Sequence, residues 1–420
     1  MPQVHRQRVA PGGGAWYAGA VPRFEPFPGL RYDADRTPLA QVVAPPYDVI
    51  SPDERSQLQS ESPYNSVWIE LPDEGSGYDV AARQIAAWQA EGILRRDPAP
   101  RLYGYRMSYV DDAGRPRATT GVIGALGLEP PGTAGIYPHE RTTPKAKSDR
   151  LQLLQATQVN TSPIWGLSMA AGLTAAIGAP PEDSARVTDR DGIQHQVWPI
   201  ADPAAIDEIT RAVSSAPVVL ADGHHRFETA LTYQKQRRAA TDHGSAVPGP
   251  YDLVMALVVE LVEEQLSVQG IHRLISGLPP AFDLVAALAP FFEITPTDPP
   301  DATIPVRMAE TGALALVTRD GTWLLHPKPE TMAAARQDLD SSRLEVALDA
   351  FPEHQVVYPH GWDAAQAAVD RGDAQAAVLL RPVSVEQIAS TGRGGELMPP
   401  KTTFFWPKPR TGFVFREVPD

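Results

Sequence analysis

The stretch Pro217-Val218-Val219-Leu220-Ala221-Asp222-Gly223-His224-His225-Arg226 runs from a short apolar segment through Asp-Gly into Phe227-Glu228-Thr229-Ala230-Leu231. Pro217 to Leu220 reads as a buried strand and Phe227 to Arg238 as a helix, so the polar turn lies between a strand and a helix start. A helix N-terminus offers unpaired N–H groups and the positive end of its dipole, which together suit an anion. Gly223 lets the backbone approach such a ligand, while His225 and Arg226 add directed donors and Asp222 is placed to hold Mg²⁺ or to orient a histidine. The same residues also allow a plainer arrangement, with Asp222 as the helix N-cap and the basic residues as a solvated first turn. Adjacent cations at a positive dipole end are unfavourable without an anion, which favours a phosphate site. A zinc site is the weaker alternative, because His224 and His225 are neighbours that point different ways on a helix, unlike an i, i+4 pair.

Outward from this turn the pattern alternates between helix and strand. Upstream, Val80, Ile85 and Trp88 recur at helical spacing from Tyr78 to Glu91, with Gly92 as a C-cap. Arg101 to Val110 and Thr119 to Leu128 read as two strands of a hairpin across Asp111-Asp112-Ala113-Gly114. A helix is expected from Ser148 to Gln155. Downstream, Tyr251 to Val262 is an apolar run that fits a strand or a helix, with a strand favoured. Helices are then expected at Phe282 to Leu288 and Ala364 to Val369, and strands at Leu314 to Val317, Trp323 to His326 and Ala376 to Leu380. That alternation is the mark of an α/β layer.

Composition narrows the function classes. A chain of 420 residues exceeds what one core usually spans, so two domains or one elaborated domain is the expectation. The 43 prolines imply short elements joined by stiff connections. There is no cysteine, so disulfides, thiolate zinc sites, iron–sulfur clusters and cysteine nucleophiles are excluded. A net charge of −14 disfavours long nucleic acid as a partner, since that affinity comes from Lys and Arg neutralising phosphates. The N-terminus lacks an apolar centre and no run of about 18 uncharged apolar residues occurs, which makes the cytoplasm the expected location and a membrane an unexpected partner. Walker-type GxxxxGK[ST], GxGxxG, GxSxG and HExxH motifs are all missing.

Two further clusters carry reactive groups. His139-Glu140-Arg141-Thr142 with Lys145 and Lys147 surrounds a carboxylate with cations, which holds it ionised. Such a carboxylate suits a base for a hydroxyl proton or a contact for a substrate ammonium, and a solvated charged loop is the plainer reading. Lys401-Thr402-Thr403, after Pro399-Pro400, can clamp a phosphate or a carboxylate, or form an exposed turn.

These residues resemble a known group, the bacterial and archaeal domain of unknown function number one thousand and fifteen. The resemblance rests on Ala44-Pro45-Pro46-Tyr47-Asp48-Val49-Ile50, Pro138-His139-Glu140-Arg141-Thr142, Ala221-Asp222-Gly223-His224-His225-Arg226, His272-Arg273-Leu274 and Met398-Pro399-Pro400-Lys401-Thr402-Thr403. Three of these motifs, in the same order, also resemble the free-serine kinases of the ParB/sulfiredoxin-like superfamily. That resemblance implies an α/β (α+β) fold. Residues 1–278 would form an N-terminal extension and a ParB-like nucleotide-binding domain, and residues 279–420 a C-terminal α/β domain returning Pro-Lys-Thr-Thr to the cleft. It implies ATP or ADP and Mg²⁺ as cofactors, Glu140 as catalytic base, and His225 and Arg226 in catalysis. Asp222, Gly223, His224, His225, Arg226 and Lys401 would bind the nucleotide, with Asp222 on the metal. His139, Arg141, Thr142, Thr402 and Thr403 would bind the substrate, a small hydroxylated metabolite such as L-serine. His224 stands where sulfiredoxins have their reactive cysteine, which excludes thiol repair. About 80 residues separate the Pro-His-Glu loop from the Asp-Gly turn, more than in the compact kinases. The competing expectation is a ParB-like nucleotide-binding switch without kinase activity.

Overall fold

The computed structural model describes residues 21–419 apart from 74, 76, 112–113, 131–132, 134, 139–144, 241–248, 395–397 and 400, and the side chains of 138, 145–148 and 392–394. Among the described residues it is a mixed α/β structure with 14 α-helices and two principal sheets, one of nine strands and one of six.

The larger sheet contains β1 (Phe24–Glu25), β2 (Leu102–Val110), β3 (Pro116–Gly127), β4 (Ile136–Pro138), β5 (Ile164–Ser168), β6 (Ala185–Thr188), β7 (Gln194–Ile200), β8 (Val218–Asp222) and β9 (Leu253–Glu260). Its order is β4-β8-β5-β9-β3-β2-β7-β6, with β1 paired to β3. The expected hairpin is present, with Val110 opposite Pro116 and Tyr103 opposite Ile123. The ambiguous run at Tyr251 to Val262 is strand β9, and its burial explains the ambiguity. Val254, Ala256 and Val258 enter one core while Met255, Leu257 and Val259 enter the other, so an element covered on both faces loses its polar alternation.

Of four longer helices, α1 (Asp79–Ala90), α2 (Lys145–Thr157), α3 (Pro203–Val213) and α4 (His224–Ala240), the last two pack on this sheet, while α2 lies between α4 and α1. Helix α4 starts three residues before the expected Phe227, because Gly223 makes the turn itself and its carbonyl already accepts from Phe227 N–H at 2.9 Å. His224, His225 and Arg226 therefore form the first turn of α4, whose Phe227, Ala230 and Leu231 pack into the core on one side of the sheet.

The six-stranded sheet comprises β10 (Arg273–Ser276), β11 (Phe292–Thr297), β12 (Leu314–Thr318), β13 (Gly321–Pro327), β14 (Gln355–Val357) and β15 (Ala376–Leu379), in the order β11-β13-β12-β15-β10-β14. Helices α5 (Ile304–Thr311) and α6 (Trp362–Arg371) pack on it. The helix expected at Phe282 begins at Leu284, since Asp283 caps it by accepting from Ala286 N–H at 2.9 Å.

The C-terminal segment returns to the first sheet's surroundings. Thr403–Phe405 pairs with Val268–Gly270, and Arg416–Glu417 pairs with Val159–Asn160. Thr411 bridges Ala44 and Phe415 bridges Leu30, with Phe415 fully buried beside Trp88 and Ile69.

Candidate anion site at the start of helix α4

Strand β8 ends at Asp222 and α4 begins at His224, so Gly223 must reverse the chain within one residue. It does so at φ +84°, a conformation that disfavours any side chain, and a Cβ there would lie 3.1 Å from Ile164 Cα. Gly223→Ala is therefore expected to cost about 1–3 kcal/mol of stability, read from the shift of a urea unfolding midpoint.

Both carboxylate oxygens of Asp222 face cations. Arg226 Nη2 donates to Oδ2 at 3.1 Å and Lys408 Nζ to Oδ1 at 3.3 Å. Burial would raise the Asp222 pKa, but Lys408, Arg226 and Lys401 outweigh it and hold the group below the usual carboxylate range. Arg226 is fixed on its other side by donating from Nη1 to Ser162 Oγ at 3.0 Å and to the Pro163 carbonyl. Its guanidinium is thus aimed before any ligand arrives. Gly223, rather than Asp222, immediately precedes the helix, and the hydrogen bonds of Asp222 go to side-chain cations.

The surrounding wall comes from distant parts of the chain. Lys408 Nζ also donates to Asp48 Oδ2 at 2.8 Å, so one ammonium bridges two carboxylates. Next to Asp48, the Tyr47 ring lies against two guanidinium groups, Arg150 at 4.4 Å and Arg226 at 6.0 Å from its centroid. Arg150 and Glu70 form a buried pair beneath, 6% and 1% exposed, in which Arg150 Nη1 donates to the Glu70 carbonyl at 2.9 Å. Ser162 donates to Glu70 Oε1 at 3.0 Å while accepting from Arg226. Opposite charges therefore alternate from Glu70 through Ser162, Arg226 and Asp222 to Lys408 and Asp48.

A cavity of 450 Å³ opens beside Lys408, walled by Pro45, Pro46, Val49, Phe404, Trp406 and Arg410. Under it, Arg410 N–H donates to Tyr105 Oη at 3.0 Å, and Tyr105 Oη meets His195 Nδ1 at 2.8 Å. His195 Nε2 meets Asp189 Oδ2 at 3.0 Å, and Arg410 Nε donates to the same oxygen at 3.1 Å. Burial lowers the His195 pKa, which keeps this imidazole neutral, and the network fixes the 404–410 segment that carries Lys408.

Asp222, Gly223, His224, His225 and Arg226 are contiguous at the helix start, and the charge of Lys401 reaches Asp222. Lys401 has φ +58°, one of two non-glycine left-handed residues among those described. The Thr402 hydroxyl is buried, donating to the Pro399 carbonyl at 2.7 Å and meeting Ser341 Oγ at 3.2 Å, while Thr403 pairs with Gly270. His139, Glu140, Arg141 and Thr142 lie outside the described residues. Lys408, Asp48, Tyr47, Glu70, Arg150 and Ser162 are members that sequence reasoning missed. Tyr47-Asp48 after Pro45-Pro46, and Lys408 between Pro407 and Pro409, carried the only local signal: polar groups on stiff, proline-fixed chain.

Among the described residues no three His, Asp or Glu side chains gather as a metal cluster. Asp48 and Asp222 nevertheless converge on one ammonium, a donor set that suits a Mg²⁺ that keeps most of its waters and binds phosphate oxygens.

The arrangement defines a mixed α/β protein with a cation-lined cleft at a helix N-terminus. The chain belongs to the family described as "Protein of unknown function (DUF1015)", whose model matches residues 24–350. No curated protein matches it. Among solved structures it is similar to a free serine kinase in complex with AMP, at 13% identity and a TM-score of 0.37, covering 68% of this chain and 88% of that one. A conserved hypothetical protein from Pyrococcus furiosus shares 13% identity at a TM-score of 0.34, covering 64% and 87%. SbnI with C-terminal truncation from Staphylococcus aureus shares 12% at 0.37, covering 69% and 85%. These relations are too distant to transfer an activity. Among the described residues no helix is long and apolar enough to cross a membrane.

Proposed function

We propose that this chain is a nucleotide-dependent kinase that transfers a phosphoryl group to the hydroxyl of a small molecule, with free L-serine or a related amino acid as the leading acceptor. The observation that carries this reading is the convergence of Arg226, Lys408 and Lys401 on Asp222 at the start of a 17-residue helix. Phosphates of ATP or ADP would lie against the N–H groups of Gly223, His224 and His225, taking over the cations that Asp222 now holds. Arg226 and His225 then stabilise the charge spread over the transferred group. Asp222, with Asp48, would hold Mg²⁺, which supplies charge neutralisation at the phosphate oxygens. Glu140 takes the proton of the acceptor hydroxyl, and His139, Arg141, Thr142, Thr402 and Thr403 line the acceptor. In this reading residues 1–278 are an extended ParB/sulfiredoxin-like nucleotide domain, and residues 279–420 return Lys401 and Lys408 to its cleft.

Phosphoryl transfer through a loose transition state needs little pull on the attacking hydroxyl and much positioning. Glu140→Gln should accordingly lower turnover by about 10²-fold or more, the range of general-base contributions, while leaving nucleotide affinity within a few-fold. Phosphorus NMR of the protein with Mg²⁺, ATP or ADP and a pool of hydroxylated metabolites led by L-serine tests this directly. A new phosphomonoester signal that vanishes in Glu140→Gln supports the kinase. Nucleotide binding without product in the unmodified protein would instead favour the ParB-like switch.

A further inference from the structure

The motif His272-Arg273-Leu274 takes no part in the cleft around Asp222. Arg273 serves packing: it is 5% exposed, donates from Nη1 to the Ile271 carbonyl at 2.8 Å, and lies 4.7 Å from the Tyr358 ring centroid. His272 instead lines a separate cavity of 370 Å³ beside the six-stranded sheet. None of the residues lining that cavity belongs to the Asp222 cluster.

The His272 ring is locked in one orientation. It is 8% exposed, and its Nδ1 accepts from the Leu380 N–H at 3.2 Å. Gly270 lets the strand Val268–Gly270 lie directly on that backbone, since a Cβ there would fall 2.4 Å from the Leu380 carbonyl oxygen. An imidazole whose Nδ1 accepts carries its proton on Nε2, so Nε2–H is a donor. Among the described residues no protein acceptor meets it. Burial and the neighbouring Arg273 lower the His272 pKa to about 4, so this donor is uncharged at neutral pH.

A second set of donors faces the same cavity. Gly361, which precedes the ten-residue helix α6, and Trp362 and Asp363, its first two residues, line it, and no side chain caps that helix. The cavity's two arginines are already compensated: Arg115 Nε donates to Asp111 at 2.9 Å, and Arg381 donates to Asp340 at 2.6 and 2.9 Å. The carboxylate of Asp363 differs, because among the described residues no cation pairs with it. Ile304, Pro305, Met308 and Leu379 supply an apolar wall. The lining thus combines neutral donors at one place, a lone carboxylate beside them, and an apolar surface.

We infer that this cavity binds a free α-amino acid with an apolar side chain. Its carboxylate accepts from His272 Nε2–H and the α6 N-terminal N–H groups, its ammonium faces Asp363, and its side chain lies against Ile304, Met308 and Leu379. The cavity volume falls in the range of small-ligand sites. Both charged ends of the ligand are required, which separates it from a fatty acid or a simple amine.

The test uses the full chain with ¹⁵N-labelled histidine, titrated to millimolar concentration with L-leucine, L-isoleucine, L-methionine and L-phenylalanine. At least one is expected to move the His272 ring resonances and to raise the melting temperature. N-acetylation or methyl esterification of that compound should weaken it about tenfold or more, as should Asp363→Asn, whose exposed position leaves folding intact. Asp363→Asn should leave the weak binding of the N-acetyl compound unchanged, because that compound has no ammonium. His272→Phe should abolish binding. If none of the four moves the His272 resonances, or if the capped compounds bind as well as the free amino acid, the inference is wrong. Neither result depends on catalysis at Asp222.

Discussion

On the proposed kinase reading, replacing Arg226 by alanine is expected to lower phosphoryl-transfer turnover by about 10³-fold and to weaken nucleotide binding by about tenfold or more. The reason is orientation as much as charge. Ser162, the Pro163 carbonyl and Asp222 hold the guanidinium from three sides, so little rotamer freedom is lost when a phosphate arrives. Arg226→Lys retains the charge but loses the planar fork, and should fall between the two proteins. Product formation followed by phosphorus NMR, with nucleotide affinity from calorimetry, separates the effects. If Arg226→Ala binds nucleotide as well as the unmodified protein, the phosphates lie elsewhere.

The largest effect on stability is expected at Glu70. Its carboxylate is 1% exposed, bonded to Ser162, and 3.7 Å from Arg150, which is itself 6% exposed. Among the described residues, Glu70→Ala leaves the buried Arg150 with the half-exposed Asp149 as its one ion-pair partner, and should destabilise the fold by about 3 kcal/mol. Glu70→Gln should cost less, because an amide oxygen still accepts from Ser162. Urea unfolding of the two variants gives the comparison, and equal losses would mean that the hydrogen bond the amide keeps with Ser162 contributes nothing and that the lost charge carries the whole effect. Because Ser162 links Glu70 to Arg226, the double variant Glu70→Gln with Arg226→Ala should depart from additivity by more than about 0.5 kcal/mol.

The strand–turn–helix at 217–240 was readable because its signals are local: an apolar strand, a glycine where the chain must reverse, and a helical period after it. The early start of α4 was not, since Gly223 and the three basic residues carry no apolar period. Residues 253–259 were ambiguous for the opposite reason, being apolar at every position of a strand buried on both sides. The candidate site was legible only where it is contiguous. Asp222 and Arg226 are four residues apart, but Lys408 reaches Asp222 across 186 positions and Arg150 stacks on Tyr47 across 103, pairings that no periodicity encodes. Lys401 and Lys408 are also both lysines in proline-rich chain, and only the three-dimensional arrangement distinguishes the one whose ammonium touches Asp222.

The return of the C-terminal segment has a consequence for how the protein is made. Leu30, Ala44 and Val159 are synthesised early, yet their neighbours Phe415, Thr411 and Glu417 leave the ribosome more than 250 residues later. Chains usually begin folding from the N-terminus during synthesis. Here the early part emerges with an unfilled place in its core and without Lys408 opposite Asp222. A nascent chain can therefore assemble the nine-stranded sheet before its cation cleft is complete, and the cleft is completed only once residues 401–417 have emerged.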